Sequence, residues 1–267
     1  MIAVELSKLV RRPRTWVTIT LLAGLPVVVG IFLKVTGIAP APGTGPALLS
    51  EVLNNGVLFP AAALALILPV FLPIAVAVVA GDAIAGEASA GTLRYLLARP
   101  VSRSRLITAK VIMALVFIVL AVAIVAVVGL IAGASLFGIK PLTSLSGTGL
   151  STKEALARTV LAIIYIGWSM LGLAGIALFA STRTDSPLAA ALSALAAFVT
   201  SQVLDLIDAT QAIKPYLPTH YWLAFVDLFR DPIHWRGLQR GVALQAVYLV
   251  VFLGGAWASF ATKDVTS

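Results

Sequence analysis

Few residues in this chain could do chemistry, and their spacing limits what it could be. Asp82 and Glu87 are paired carboxylates only in sequence. A five-residue separation puts them on different faces of a helix, so their expected role is to end a membrane span and solvate a loop. His220 and His234 are the only histidines, and with Asp231 they could in principle bind a metal. They lack tight ligand spacing, which favours ordinary loop histidines and no metal. No lysine is followed by serine or threonine, so a phosphate-cradling Gly-x-x-x-x-Gly-Lys-Ser/Thr loop is excluded. Neither histidine is followed by glutamate, and no Gly-x-Ser-x-Gly occurs, which removes the zinc-protease and serine-esterase patterns. With no cysteine there is no disulfide, thiolate ligand or thiol nucleophile.

The elements that position these residues are membrane spans. Of 267 residues, 60% are hydrophobic and 11% charged, and mean hydropathy is +1.04, too little polar surface to cover a soluble globule. The chain is an all-α polytopic membrane protein, read as a single transmembrane domain over residues 1–267. Its net charge of +8 follows the habit of membrane proteins to gather Lys and Arg at cytoplasmic ends, and does not call for nucleic acid.

Six spans are predicted. Residues 1–14 place Ile2, Leu6, Leu9 and Val10 on one helical face, an interfacial helix with its basic side toward headgroups. Pro13 turns the chain into a first span at 15–33, longer than a signal-peptide core and therefore read as retained. The second span, 57–80, contains Pro60, Pro69 and Pro73. Pro69 and Pro73 lack amide donors one turn apart and kink or unwind it, as a gating hinge or as a tolerated irregularity. The third span, 111–139, ends near Gly129 and Gly133, a Gly-x-x-x-Gly spacing that permits close approach. Residues 140–158 form an external loop before the fourth span, and 183–187 a tight turn after it. The fifth span, 188–204, sets Ala189, Ser193, Ala197 and Ser201 at four-residue intervals, a helix-packing seam within or between subunits. Residues 205–240 are rich in aromatics and read as external interfacial or re-entrant helices before the last span, 241–262.

Between the second and third spans lies the charged stretch 81–110, a loop at one membrane face. Leu93, Leu96 and Leu97 form a stripe at helical spacing, with Arg94, Tyr95 and Arg99 around it. Pro100 ends that helix, and Ser102 or Ser104 can cap the next. Such a helix suits docking into a soluble partner, or lying with its leucines in the lipid interface.

Gly81-Asp82-Ala83-Ile84-Ala85-Gly86-Glu87, then Gly91-Thr92-Leu93, then Leu96-Leu97-Ala98-Arg99-Pro100-Val101-Ser102-Arg103 resembles the coupling-loop signature of ABC-2 type transporter permeases. Arg94 stands where many members carry an acidic residue. The resemblance implies a permease working as two membrane subunits, identical or not, with two separate ATPases. These would dock on Glu87, Gly91, Thr92, Leu93, Arg94, Leu96, Leu97, Arg99, Pro100 and Arg103. ATP and magnesium would then bind in the partner, and no cofactor in this chain.

If six spans hold, both termini share a side with 81–110. That side carries 11 Lys and Arg against 5 Asp and Glu, the other 8 against 6, so the former is expected to be cytoplasmic in a cell inner membrane. The spans hold essentially no ionisable group, whereas a membrane enzyme retains buried charge for function. A permease for an apolar or amphipathic cargo (drug, peptide or lipid-like) is therefore favoured. An ABC-type sodium exporter, or a membrane enzyme or scaffold, are the alternatives.

Overall fold

Uncharged runs in a membrane must satisfy their own backbone groups, and here they do so as helices. The computed structural model describes residues 1–38, 48–49, 52–53, 55–92, 103–139, 142–143 and 149–262. In chain order the helices are α1 (Ile2–Arg11), α2 (Pro13–Thr36), α3 (Phe59–Ile67), α4 (Phe71–Ser89), α5 (Arg103–Phe137), α6 (Thr152–Arg183), α7 (Pro187–Leu206) and α8 (Trp235–Thr262). Six of these, α2 and α4 to α8, are long and apolar enough to cross a membrane. A short antiparallel pair, β1 (Leu142–Thr143) and β2 (Gly149–Leu150), precedes α6.

Helix α6 is the axis of the bundle: its most apolar window is 67% buried, against 17% for α8. It packs against α4, α5, α7 and α8. At ~1.5 Å per residue its 32 residues span roughly 48 Å, well beyond a ~30 Å hydrocarbon core. It begins inside the expected 140–158 loop because Ser151 and Glu154 form a reciprocal capping box that starts the helix at Thr152.

Small residues set the close contacts. A Cβ on Gly133 would lie 2.2 Å from the Gly56 carbonyl oxygen, and one on Gly129 would lie 3.0 Å from Pro60 Cα. The Gly-x-x-x-Gly pair thus seats α5 against the start of α3. Across the core, a Cβ on Gly81 would meet the Ala191 backbone nitrogen at 2.8 Å, so α4 and α7 touch backbone to backbone there.

The second apolar run is broken. Helix α3 ends at Ile67 and α4 starts at Phe71, with Leu68, Pro69 and Val70 forming the turn between them. Pro73 falls in the first turn of α4, where a missing amide costs nothing. Gln202 of α7 donates from Nε2 to the Pro69 carbonyl at 3.2 Å, giving a partner to one group the break sets free. At its other end α4 runs through Gly81 to Ser89 as helix, so the first part of the expected 81–110 loop is instead the continuation of the span.

The 205–240 segment forms short 3-10 turns, Asp208–Thr210, Lys214–Tyr216 and Trp222–Phe229, and α8 already starts at Trp235. Its aromatics divide. Tyr216 and Trp235 are exposed, but Trp222, Phe225 and Phe229 are buried in the main core, Trp222 stacked on Phe198 at 5.4 Å. The segment is a lid folded onto the bundle, pinned by Arg158, which donates to the carbonyls of Leu228 and Arg230 at 2.9 and 2.8 Å.

Candidate functional site at the charged end of the bundle

The charged residues converge at one end of the helices. Lys110 of α5 donates to Glu5 Oε2 of α1 at 2.7 Å and lies 3.4 Å from Glu87 Oε1 of α4. Lys8 of α1 reaches the same Glu87 oxygen at 2.7 Å and Glu5 Oε1 at 3.6 Å. Two cations and two carboxylates form a closed cluster, and Lys110, Glu5 and Glu87 are all buried. Beside it, Asp82 accepts from Arg12 at 2.8 Å and from Arg14.

Helix α1 therefore does more than lie in the interface with its basic side toward headgroups. Its Leu9 and Glu5 are buried against the bundle, and Lys8 points at α4. Burial works against the charge on Lys8, but its hydrogen bond to Glu87 and the charges of Glu5 and Glu87 outweigh this and raise its pKa above the ordinary value. The stabilisation is thus present in full below the ordinary lysine pKa and is lost only as pH rises through the raised one.

The spacing Glu87…Gly91-Thr92 has a structural meaning that periodicity did not reveal. Gly91 adopts φ +67°, and its amide donates to the Ala88 carbonyl at 2.9 Å, while the Thr92 amide donates to the Glu87 carbonyl at 3.0 Å. These two bonds make a Schellman cap on α4, and the left-handed position favours glycine. The Thr92 hydroxyl closes the motif by donating to Glu87 Oε2 at 2.5 Å. Glu87 thus holds the cap and both lysines, and faces inward rather than outward. Leu93, Arg94, Leu96, Leu97, Arg99 and Pro100 lie outside the described residues; the chain is next described at Arg103, where α5 begins.

One further device escaped sequence reading. Ser181 of α6 is fully buried, donates to the Gly81 carbonyl at 2.6 Å, and accepts from the amides of Ile84 and Ala85 at 3.0 and 2.8 Å. A hydroxyl inserted into the α4 ladder ties α6 to α4 one turn from Glu87. A lone serine in an apolar run carries no signal for this. Nearby, Ile84, Leu106, Ile107 and Phe260 form a small apolar cluster, and Trp257 of α8 donates to Ser104 at 2.8 Å. The N-terminal helix, the end of α4, the start of α5 and the end of α8 therefore share one end of the molecule.

The expected seam on α7 divides. Ser201 is buried and hydrogen-bonded to Thr219 at 2.7 Å, but Ala189, Ser193 and Ala197 are exposed. The face that packs within the chain is Ala190, Ala191, Ala194 and Phe198, about 100° around the helix from the stripe. At the opposite end, His220 Nδ1 lies 2.6 Å from Asp205 Oδ1, so that histidine is engaged in a pair with α7. Among the described residues no group of three potential ligands could hold a metal ion.

A bundle of six span-length helices, with a surface helix clamped by buried charge to the helices flanking one loop, defines a multi-pass α-helical membrane protein whose spans are mechanically tied at one face. Residues 1–181 match the family model for ABC-2 family transporter proteins, and the chain belongs to that family. It is the membrane permease component of an ABC transporter, not its ATPase, and the family works with an ABC ATPase subunit. No curated protein matches the chain.

Proposed function

We propose that the chain is the permease of an ATP-driven exporter in the inner membrane, working as two permease subunits with two ATPases. The side bearing α1 and both termini is assigned to the cytoplasm. An ATPase docks there on the Leu93, Leu96, Leu97 stripe and on Arg94, Arg99, Pro100 and Arg103 around it. ATP and magnesium bind in that partner. Cargo is apolar or amphipathic.

The observation that supports this reading most directly is the clamp. The docking stretch joins the capped end of α4 to the start of α5, and Glu87 and Lys110 bind those two helices to each other and to α1. A push on the stretch thus moves three helices together, and Ser181 passes it to α6. The broken turn at Pro69, with Pro73 in the first turn of α4 beyond it, is the proposed hinge at which α4 rocks against α3.

Leu96→Ala with Leu97→Ala tests the docking. Truncating buried interface anchors typically costs about 2 kcal/mol or more of binding. The double variant should insert normally and lose copurified ATPase and cargo-stimulated hydrolysis. An unchanged ATPase-to-permease ratio rules out docking through this stripe. Reporter fusions at Ser267 and within 210–235 should report cytoplasm and exterior respectively, and the reverse result rejects the orientation.

A further inference from the structure

Two cavities meet beside the clamp. One is a small notch in which Lys8, Arg12, Arg14 and Lys110 face the carboxylates of Glu5, Asp82 and Glu87. The other is an apolar groove of about 800 Å³ between α2 and α4. Thr18 and Val78 line both, so the notch adjoins the groove.

The groove is mostly apolar, with Thr18 and Thr20 its polar lining residues. Leu21, Val28, Phe71, Ile74 and Val78 present exposed side chains to it. The Thr18 hydroxyl donates to its own helix at the Arg14 carbonyl, 2.8 Å, and so does not wet the wall. From Thr18 to Val29 the groove follows α2 for roughly 16 Å at ~1.5 Å per residue. That is about half of a ~30 Å hydrocarbon core, the depth of one leaflet.

The mouth is cationic. Two guanidiniums share the single carboxylate of Asp82, which leaves a local surplus of one positive charge. Their side chains are 42% and 53% exposed, and each carries five N–H donors, more than a bond to Asp82 consumes. Arginine pairs of this kind match the oxygens of a phosphate.

We propose that notch and groove together bind one phospholipid from the leaflet in which α1 lies. Its phosphate is held by Arg12 and Arg14, and one acyl chain lies between α2 and α4. Cation at one end, aliphatic wall along the rest and single-leaflet depth fit that amphiphile in charge, polarity and length. The site stands whether or not the bound lipid is carried across the membrane.

Gly24 supplies a clean test, because it lines the groove and a Cβ there meets nothing within 4 Å. Gly24→Leu starts a side chain into open space at the groove and favours the helix. The detergent-purified protein, with its copurified partners and without nucleotide, is titrated by native mass spectrometry with dioleoyl phosphatidylglycerol, with dioleoylglycerol and with glycerol 3-phosphate. Phosphatidylglycerol should bind one per chain, about tenfold tighter than either probe lacking phosphate or acyl chains. Gly24→Leu should weaken it about tenfold, as should Arg12→Gln with Arg14→Gln, while Arg236→Gln at the far end leaves it unchanged. Equal binding of dioleoylglycerol removes the phosphate contact and overturns the proposal. Equal binding of glycerol 3-phosphate makes the notch an anion site only and overturns it too. Undiminished lipid binding by Gly24→Leu overturns it, as does efficient disulfide cross-linking of Leu21→Cys between two chains, which would mean a second copy fills the groove.

Discussion

Lys110 and Glu5 stand 105 residues apart in sequence and meet at 2.7 Å with both side chains almost wholly buried. The contact joins the first helix of the chain to α5, and Glu87 and Lys8 complete the charge balance. Removing one member leaves an uncompensated buried charge, which typically costs about 3–5 kcal/mol. Lys110→Met should therefore lower the thermal midpoint in detergent sharply. Combining it with Glu5→Gln leaves the Lys8–Glu87 pair intact and neutral, so the double variant should melt closer to wild type than Lys110→Met alone. A wild-type midpoint for Lys110→Met would remove the cluster from the account of stability.

Ser181 offers a more local test. Ser181→Ala strands the amides of Ile84 and Ala85 and the carbonyl of Gly81 in the core, at a cost of about 1–3 kcal/mol. Ser193→Ala on the exposed face of α7 loses only a bond to its own helix and should stay within about 0.5 kcal/mol. Thermal unfolding of the two, measured side by side, checks the contrast, and equal melting would mean that α4 re-forms a regular ladder without the serine.

On α7 the two alanine faces should respond differently to bulk. Ala194 is fully buried, so Ala194→Leu should prevent normal assembly of the chain itself. Ala197→Leu lies on the exposed small-residue stripe and should leave the chain folded while lowering the fraction of dimer seen by in-membrane cross-linking. A dimer fraction equal to wild type would assign that stripe to lipid.

Gly91 sits at φ +67°, where a β-branched residue is strained by roughly 1–2 kcal/mol. Gly91→Val should loosen the α4 cap, lowering cargo-stimulated ATP hydrolysis while the melting of the spans changes little. Thr92→Val, which removes the hydroxyl bond to Glu87, should act in the same direction and more weakly. Full coupling in both variants would separate the cap from force transmission.

Much of this protein is legible in one dimension. Membrane spans announce themselves because every lipid-facing residue must be apolar and every backbone group must bond locally, so length and hydropathy suffice to find α2 and α4 to α8. The break at Pro69 and the tight approach at Gly129 and Gly133 follow from covalent features of single residues, a missing amide and a missing Cβ. The stretch from Gly81 to Arg103, with Glu87, Gly91-Thr92-Leu93, Leu96-Leu97 and Pro100-Val101-Ser102-Arg103, carried the family resemblance, and the family match over residues 1–181 bears it out.

Partner choice was settled only in three dimensions. Glu87, seen beside Gly91 in sequence, looks like a loop carboxylate; it is buried because α1 folds back and brings Lys8 to it from 79 residues away. The seam on α7 shows the same limit. A four-residue repeat of small side chains identifies a helix face that can approach another helix, but Ala189, Ser193 and Ala197 face outward because α4 and α6 occupy the neighbouring face lined by Ala190 and Ala194. The aromatics of the lid divide for a related reason: Trp222 and Phe225 reach the core in a segment whose far end Arg158 holds against the bundle at the Leu228 and Arg230 carbonyls, and Trp235 stays outside at the start of α8. Local sequence sets what a residue can bury or bond, whereas the fold sets which distant residue it meets, since ion pairs and backbone contacts act only over a few ångströms.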